Sequence, residues 1–293
     1  MRITNYALRI VTAFAAVIIL LASSSVTLAA ENLKIGEGFY QFESSGGINK
    51  NPIDVFYYRP KNWKNGDKIF VVFHGMDRRI DYYIKGLKKA ADKKNILLIC
   101  PQFTREKFPG NKYYNYGNAA SNDKNQQTYN IANKIIDDAK KRFGATKSKI
   151  IFFGHSAGGQ FMHRYLFLAD KIKADLVIAA NAGTYLLPDE NVNYPYGFKN
   201  ISAGKKEMKR AYSQKTIILL GEKDISRTSK GLPKSRMDDK QGLNRFERGK
   251  NFFDQSKKKA EELGTKFNWQ LKTVPNVAHN AVRMARAALK YVD

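Results

Sequence analysis

The chain possesses four histidines, His74, His155, His163 and His279, so imidazole chemistry is confined to four positions. The strongest chemical signal lies beside one of them. Gly154-His155-Ser156-Ala157-Gly158-Gly159 follows the apolar run Ile150-Ile151-Phe152-Phe153 and opens a segment, about Ser156 to Ala169, with the character of a helix. A serine in G-x-S-x-G between a strand and a helix sits on an abrupt turn, its hydroxyl held out at the sheet edge. Bulky side chains two positions before and two after would collide, which requires glycine at 154 and 158. The Ala157 amide, at the helix N-terminus, then points toward an oxyanion forming at the serine. The competing reading is a glycine-rich junction with a helix-capping serine.

The remaining parts of a nucleophilic site must come from other strand ends. The run Ile69 to Phe73 leads into His74-Gly75-Met76. The loop after such a strand supplies the second oxyanion donor. Gly75 lets the backbone come close, so the Met76 amide is the expected donor and His74 orients the loop. The order in this layout is serine, acid, histidine. After Ser156 only His163 and His279 remain. His163 falls seven residues on, inside the helix the serine begins, pointing away from the site or along its wall. His279, in Pro275-Asn276-Val277-Ala278-His279, follows a last strand and precedes a helix. It is the expected base, and a surface helix-capping histidine is the alternative. The acid should follow a strand between the two. Thr216 to Leu220 leads into Gly221-Glu222-Lys223-Asp224, which selects Asp224. Glu222 sits closer to the strand, Asp238 and Asp239 lie far out in a polar loop, and Asp224 as an ordinary turn residue is the alternative. The chemistry expected of Ser156, Asp224 and His279 is acyl transfer through an acyl-enzyme.

These residues need a scaffold of alternating strands and helices. Strands are predicted at Val55–Tyr58, Ile69–Phe73, Ile96–Cys100, Ile150–Phe153, Leu176–Ala180, Thr216–Leu220 and Phe267–Val274. Helices are predicted at Ile80–Lys94, Thr128–Phe143, Ser156–Ala169, Arg245–Leu263 and Ala281–Tyr291. Near-continuous apolar strands suit burial on both faces. The alternation implies an α/β fold, a mostly parallel central sheet with helices on both faces. Irregular stretches at Phe103–Asn125, Asn181–Tyr212 and Glu222–Asn244 each follow a strand, so they can wall the crevice beyond the carboxyl ends.

Composition bounds the rest. A chain of 293 residues that is 43% hydrophobic has material for a sizeable core and is not a disordered chain. A single cysteine, Cys100, rules out an intramolecular disulfide and paired-cysteine zinc sites. Ending an apolar run, it reads as a buried, inert thiol. No metal site is expected. Residues 1–29 read as a signal peptide: Arg2 and Arg9, an apolar run Ile10–Leu21, then small residues with cleavage after Ala29. The chain at 30–293 is then one catalytic domain, secreted or periplasmic. An uncleaved anchor is the alternative, because no charge interrupts Ile10 to Ala30. The formal charge of +25 is spread in pairs and triplets such as Lys257-Lys258-Lys259, which suits solvated helix faces. No nucleic-acid motif accompanies it. Weak attraction to anionic surfaces follows from the field alone, and a monomer is expected.

The ordered set Val72-Phe73-His74-Gly75-Met76, Gly154 to Gly159, Gly221 to Asp224 and Val274 to His279 resembles the α/β-hydrolase superfamily, from about Pro52 onward. Within it the chain is similar to secreted esterases of the poly(3-hydroxybutyrate) depolymerase-like or feruloyl-esterase-like kind. The resemblance implies an α/β-hydrolase fold and ester hydrolysis without a cofactor. Two departures stand out: many secreted polyester depolymerases and cutinases carry disulfides, and the loop at residue 74 reads His-Gly-Met-Asp, not the His-Gly-Gly-Gly of the hormone-sensitive-lipase group. Tyr114, Tyr116 and Tyr185 are the candidate substrate-binding aromatics, lining an apolar pocket or a polymer platform; ordinary loop packing explains them as well. Arg78 and Arg79 either meet a substrate carboxylate or are solvated. The expected substrate is an ester, small or polymeric. Rival readings are a serine peptidase of the same fold and a non-catalytic binding protein on a hydrolase scaffold.

Overall fold

The computed structural model describes residues 33–292. The signal peptide, its cleavage site and the anchor alternative lie outside the described residues. The described chain is organised by one eight-stranded sheet: β1 (Gly36–Phe42), β2 (Ile53–Arg59), β3 (Ile69–Phe73), β4 (Leu97–Pro101), β5 (Ile150–His155), β6 (Leu176–Ala180), β7 (Thr216–Gly221) and β8 (Trp269–Val274). The spatial order is β1-β2-β4-β3-β5-β6-β7-β8. β2 runs antiparallel to both β1 and β4, and the other pairs are parallel. The carboxyl ends of β3, β5, β7 and β8 therefore open onto one edge.

The central strands form where apolar residues run with little interruption. β3, β4, β5, β6 and β7 are buried along their whole length, as strands covered on both faces must be. The helices are α1 (Asp81–Lys94), α2 (Gly110–Tyr113), α3 (Thr128–Arg142), α4 (Ala157–Leu168), α5 (Lys205–Ser213), α6 (Arg236–Asp239), α7 (Arg245–Glu262) and α8 (Ala281–Ala288). One apolar layer packs Ile135 of α3, Phe161 of α4, Met208 of α5 and Phe252 of α7 against Val71, Phe152 and Ile218. The other packs Leu87 of α1 and Met284 of α8 against Phe70, Phe153 and Leu219. The sheet thus carries helices on both faces, as the alternation implied.

The structure adds elements that the pattern did not reveal. β1 has two glycines in its first three residues, and only Tyr40 in it is buried; pairing to β2, not apolar periodicity, makes it a strand. α5 arises inside the stretch expected to be irregular. Its buried positions Met208, Ala211 and Tyr212 have helical spacing, but only three of nine residues contribute. The last helix ends at Ala288 and tightens into a 3-10 turn over Leu289–Tyr291. Among the described residues no helix is long and apolar enough to cross a membrane.

Candidate active site

β5 runs directly into α4, and Ser156 lies at the junction with φ 59° and ψ −114°. Its N–H donates to the Ala180 carbonyl at 3.0 Å and its own carbonyl accepts from Gln160 at 2.9 Å, so strand and helix both hold the turn. The two flanking glycines are needed for packing. A Cβ at Gly158 would overlap the Phe73 carbonyl oxygen, and one at Gly154 would overlap the Gly158 carbonyl. Ser156 occupies the cap position of α4, yet its hydroxyl makes no capping bond to the helix. It lies instead 3.0 Å from His279 Nε2.

His279 and Asp224 reach this point from two loops that grip each other. β7 ends at Gly221, and the Asp224 N–H donates back to the Gly221 carbonyl at 3.0 Å. The Lys223 N–H donates to the Val277 carbonyl at 2.9 Å, which binds the acid loop to the histidine loop. Past His279, the Asn280 side chain accepts from Arg283 N–H at 2.9 Å and caps α8. His279 Nδ1 lies 2.6 Å from Asp224 Oδ2. A carboxylate only accepts, so Nδ1 carries the proton and Nε2 is left to accept from the Ser156 hydroxyl. The other candidate acids are engaged elsewhere. Glu222 accepts from Thr273, Asp238 accepts from Ser235 at the start of α6, and Asp239 pairs with Arg227 and Arg248.

The loop after β3 faces the serine. Gly75 and Met76 line the cavity beside Ser156, and a Cβ on Gly75 would lie 3.9 Å from the Ser156 Cβ with nothing nearer. His74 is buried and holds this loop to the next: Nδ1–H donates to the Gly75 carbonyl and Nε2 accepts from the Phe103 N–H, both at 3.0 Å. Burial, reinforced by the nearby Arg78 charge, pulls its pKa down to about 3, so it stays a neutral acceptor. His163 plays the same part on the other side, donating to the Gly159 carbonyl and accepting from Leu186 N–H. Cys100 is fully buried, and burial pushes its thiol pKa up, which keeps it protonated. Among the described residues no group of three or more His, Cys, Asp or Glu is arranged to hold a metal ion.

The cavity over Ser156 has a volume of about 550 Å³, and its aromatic lining is Tyr82 and Tyr83 of α1. This corrects the expected substrate-binding set. Tyr114 is fully buried, donating its hydroxyl to the His74 carbonyl at 2.7 Å and carrying the Arg78 guanidinium over its ring. Tyr185 is fully buried against Phe252 and His163. Tyr116 packs on Tyr194 and Arg164. None of the three lines the cavity: the long loops after β4 and β6 fold Tyr114 and Tyr185 into the core, and Tyr116 is half-buried away from Ser156. Of the two candidate arginines, Arg78 is buried and donates to the carbonyls of Phe103 and Phe108. Arg79 is exposed, lines the cavity and pairs with Asp81. His155 and Arg245 are among the cavity residues to which the sequence gave no role. The His155 ring lies 4.4 Å from that of His279, tilted by 36°; burial first, then the fields of His279 and Arg245, hold it neutral. Arg245, read only as the start of a helix, lies against Asp224.

No family model matches the sequence, and no curated protein matches it. Solved structures do. Poly(aspartic acid) hydrolase-1 from Sphingomonas sp. KT-1 superposes with a TM-score of 0.84 and 30% identity, over 89% of this chain and 99% of that one. LpqC, a poly(3-hydroxybutyrate) depolymerase from Bordetella parapertussis, gives 0.82 and 27% identity over 88% and 89%. An S-formylglutathione hydrolase from Agrobacterium tumefaciens, 14% identical over 90% and 97% with a TM-score of 0.56, shares the fold. A 30%-identical relative matched over nearly its whole length, on the same sheet, settles the kinship: the chain belongs to the α/β-hydrolase family of serine hydrolases, and is a hydrolase enzyme.

Proposed function

We propose that the protein is a secreted serine carboxylic ester hydrolase that works through Ser156, His279 and Asp224 and an acyl-enzyme. One observation carries this reading: an unbroken relay of 3.0 Å from Ser156 Oγ to His279 Nε2 and 2.6 Å from His279 Nδ1 to Asp224 Oδ2. Neutral His279 takes the Ser156 proton as Oγ attacks the ester carbonyl. Asp224 fixes the tautomer and stabilises the imidazolium. The amides of Met76 and Ala157 receive the tetrahedral oxyanion, and each such donor is worth about 3 kcal/mol in related chemistry. His279 passes its proton to the departing alcohol. Water, deprotonated by His279, then releases the acid and restores Ser156. The substrates we infer are polyesters or aryl and short-chain acyl esters, which suits a relative that is a poly(3-hydroxybutyrate) depolymerase. Residues 1–29 act as the export signal and residues 30–293 as one catalytic domain; N-terminal sequencing of the exported protein should start at Ala30.

A second reading, amide hydrolysis in an acidic polymer, is favoured by the 30% identity to poly(aspartic acid) hydrolase-1 and by a formal charge of +25, or +23 without Arg2 and Arg9 of the export signal, that attracts polyanions. A substrate panel separates the two: nitrophenyl esters from acetate to long acyl chains, a poly(3-hydroxybutyrate) film, poly(aspartic acid) and peptide anilides. Ester turnover together with fluorophosphonate labelling of Ser156 is the expected result. Ser156→Ala should lose both label and turnover, the latter by at least about 10³-fold, with an unchanged circular dichroism spectrum. Full activity in that variant would overturn the assignment.

A further inference from the structure

The first turn of α7 holds an arginine where helix physics gives no reason for one. Arg245 is the first residue of α7, and a cation at a helix N-terminus opposes the helix dipole. Its side chain is 1% exposed, so its charge is also stripped of water. What it faces is Asp224. Nη1 lies 3.6 Å from Asp224 Oδ1, the carboxylate oxygen that His279 does not use, and the Asp224 side chain is itself 2% exposed. The helix end is fastened to the same residue, because the Phe246 N–H donates to the Asp224 carbonyl at 3.3 Å. The guanidinium is held from behind: Nη1 donates to Ser229 Oγ at 2.7 Å and Nη2 to the Lys230 carbonyl at 3.3 Å. Lys230 and Gly231 belong to the cavity wall. The other groups around the pair are the neutral His155 ring, the buried Tyr185 and, one turn along α7, Arg248. Arg248 is taken up by the carbonyls of Gly183, Pro233 and Gly242 and by Asp239.

We propose that Arg245 is a positioning residue for the Asp224–His279 pair: its buried guanidinium offsets part of the Asp224 charge and ties the 229–231 wall to the acid, which keeps His279 a free base at lower pH than an unbalanced carboxylate would allow. The proposal rests on the catalytic reading above. A carboxylate beside an imidazole stabilises the imidazolium and raises its pKa, and a buried cation on the far oxygen works in the opposite sense. Burial lowers the arginine's own pKa, and Asp224 offsets part of that lowering.

The test is the acid limb of kcat/KM for 4-nitrophenyl acetate between pH 5 and 9, read on the full chain. In Arg245→Met the limb should move up by about one unit. The loss at pH 6 should then exceed the loss at pH 8.5 by about tenfold. Arg245→Lys keeps the charge and should hold the limb near its original place. Ser229→Ala removes one anchor of the guanidinium but keeps both charges of the ion pair, and should leave the limb near its original place. Should Arg245→Met fail to fold, Arg245→Gln removes the charge while keeping a donor for the wall and reads the same limb. An unmoved limb in the folded neutral variant, or an equal shift in Arg245→Lys or Ser229→Ala, overturns the proposal. Ester turnover surviving in Ser156→Ala would instead overturn the catalytic reading, so the two failures are distinguishable.

Discussion

Ser156 is held at a positive φ that side chains with a Cβ enter only at a cost on the order of 1–3 kcal/mol. The surroundings must over-determine it, and they do so through the close approach of α4 to β3. That contact allows no side chain at residue 158, because a Cβ there would overlap the Phe73 carbonyl. Gly158→Ala should therefore lower Tm and abolish turnover together. Gly75→Ala is the informative contrast. Its Cβ would meet nothing nearer than 3.9 Å, so thermal stability should stay close to wild type. The methyl group would nevertheless stand beside Ser156, where the proposed ester would sit, and kcat/KM should fall. Melting curves and ester kinetics on both variants check the pair; a Gly158→Ala protein as stable as wild type would contradict the packing argument. The serine was legible in the sequence because its requirements are local, two glycines at fixed offsets. Arg245 was not, because its meaning depends on a partner 21 positions away in the chain. Tyr114, Tyr116 and Tyr185 misled for a related reason: a tyrosine in a long loop has the same local sequence whether the loop folds its ring inward or leaves it open to solvent.

At the scale of elements, the site depends on how the β8–α8 connection lies across the end of β7. The two are in backbone contact. Lys223 N–H donates to the Val277 carbonyl, and a Cβ on Gly221 would approach that same carbonyl oxygen to 2.5 Å. Gly221→Ala should push residues 277–279 away from β7 and lengthen the His279–Ser156 separation. A displacement near 1 Å costs about 10²-fold in rate in well-oriented sites, so the expected effect is a large fall in kcat with KM little changed. Kinetics together with a melting curve test it, and wild-type kcat in a folded Gly221→Ala protein would contradict the proposed role of this contact. The strands that bear the site were readable because β3, β5, β6 and β7 each contain an unbroken run of at least four apolar residues. β1 and α5 were not. An edge strand with one buried residue and a helix with three owe their existence to neighbours that a single sequence does not display.

For the whole molecule, the consequence of burying imidazoles on both sides of the turn is a dependence of stability on pH. His74, His155 and His163 are all buried, and burial is the first cause that lowers the pKa of each, to about 3 for His74 and well below the ordinary value for the other two. Because the folded values are depressed, the unfolded chain takes up protons first as pH falls below about 6.5. Stability is complete above that value and declines below it. Each histidine contributes about 1.4 kcal/mol per pH unit once its unfolded form is charged, so three together can remove about 4 kcal/mol between pH 5.5 and 4.5. That is a large part of a typical total of about 5–15 kcal/mol. Hydrogen bonding gives the loss a structural origin. His74 and His163 each accept a backbone N–H through Nε2, from Phe103 and Leu186 respectively, and an imidazolium would set donor against donor there. Urea melts at pH 8, 7, 6, 5 and 4.5 should show flat stability above 6.5 and an uptake of about three protons on unfolding near pH 5. An uptake below one would mean that these rings are protonated in the native fold, which the two bonds to Phe103 and Leu186 forbid.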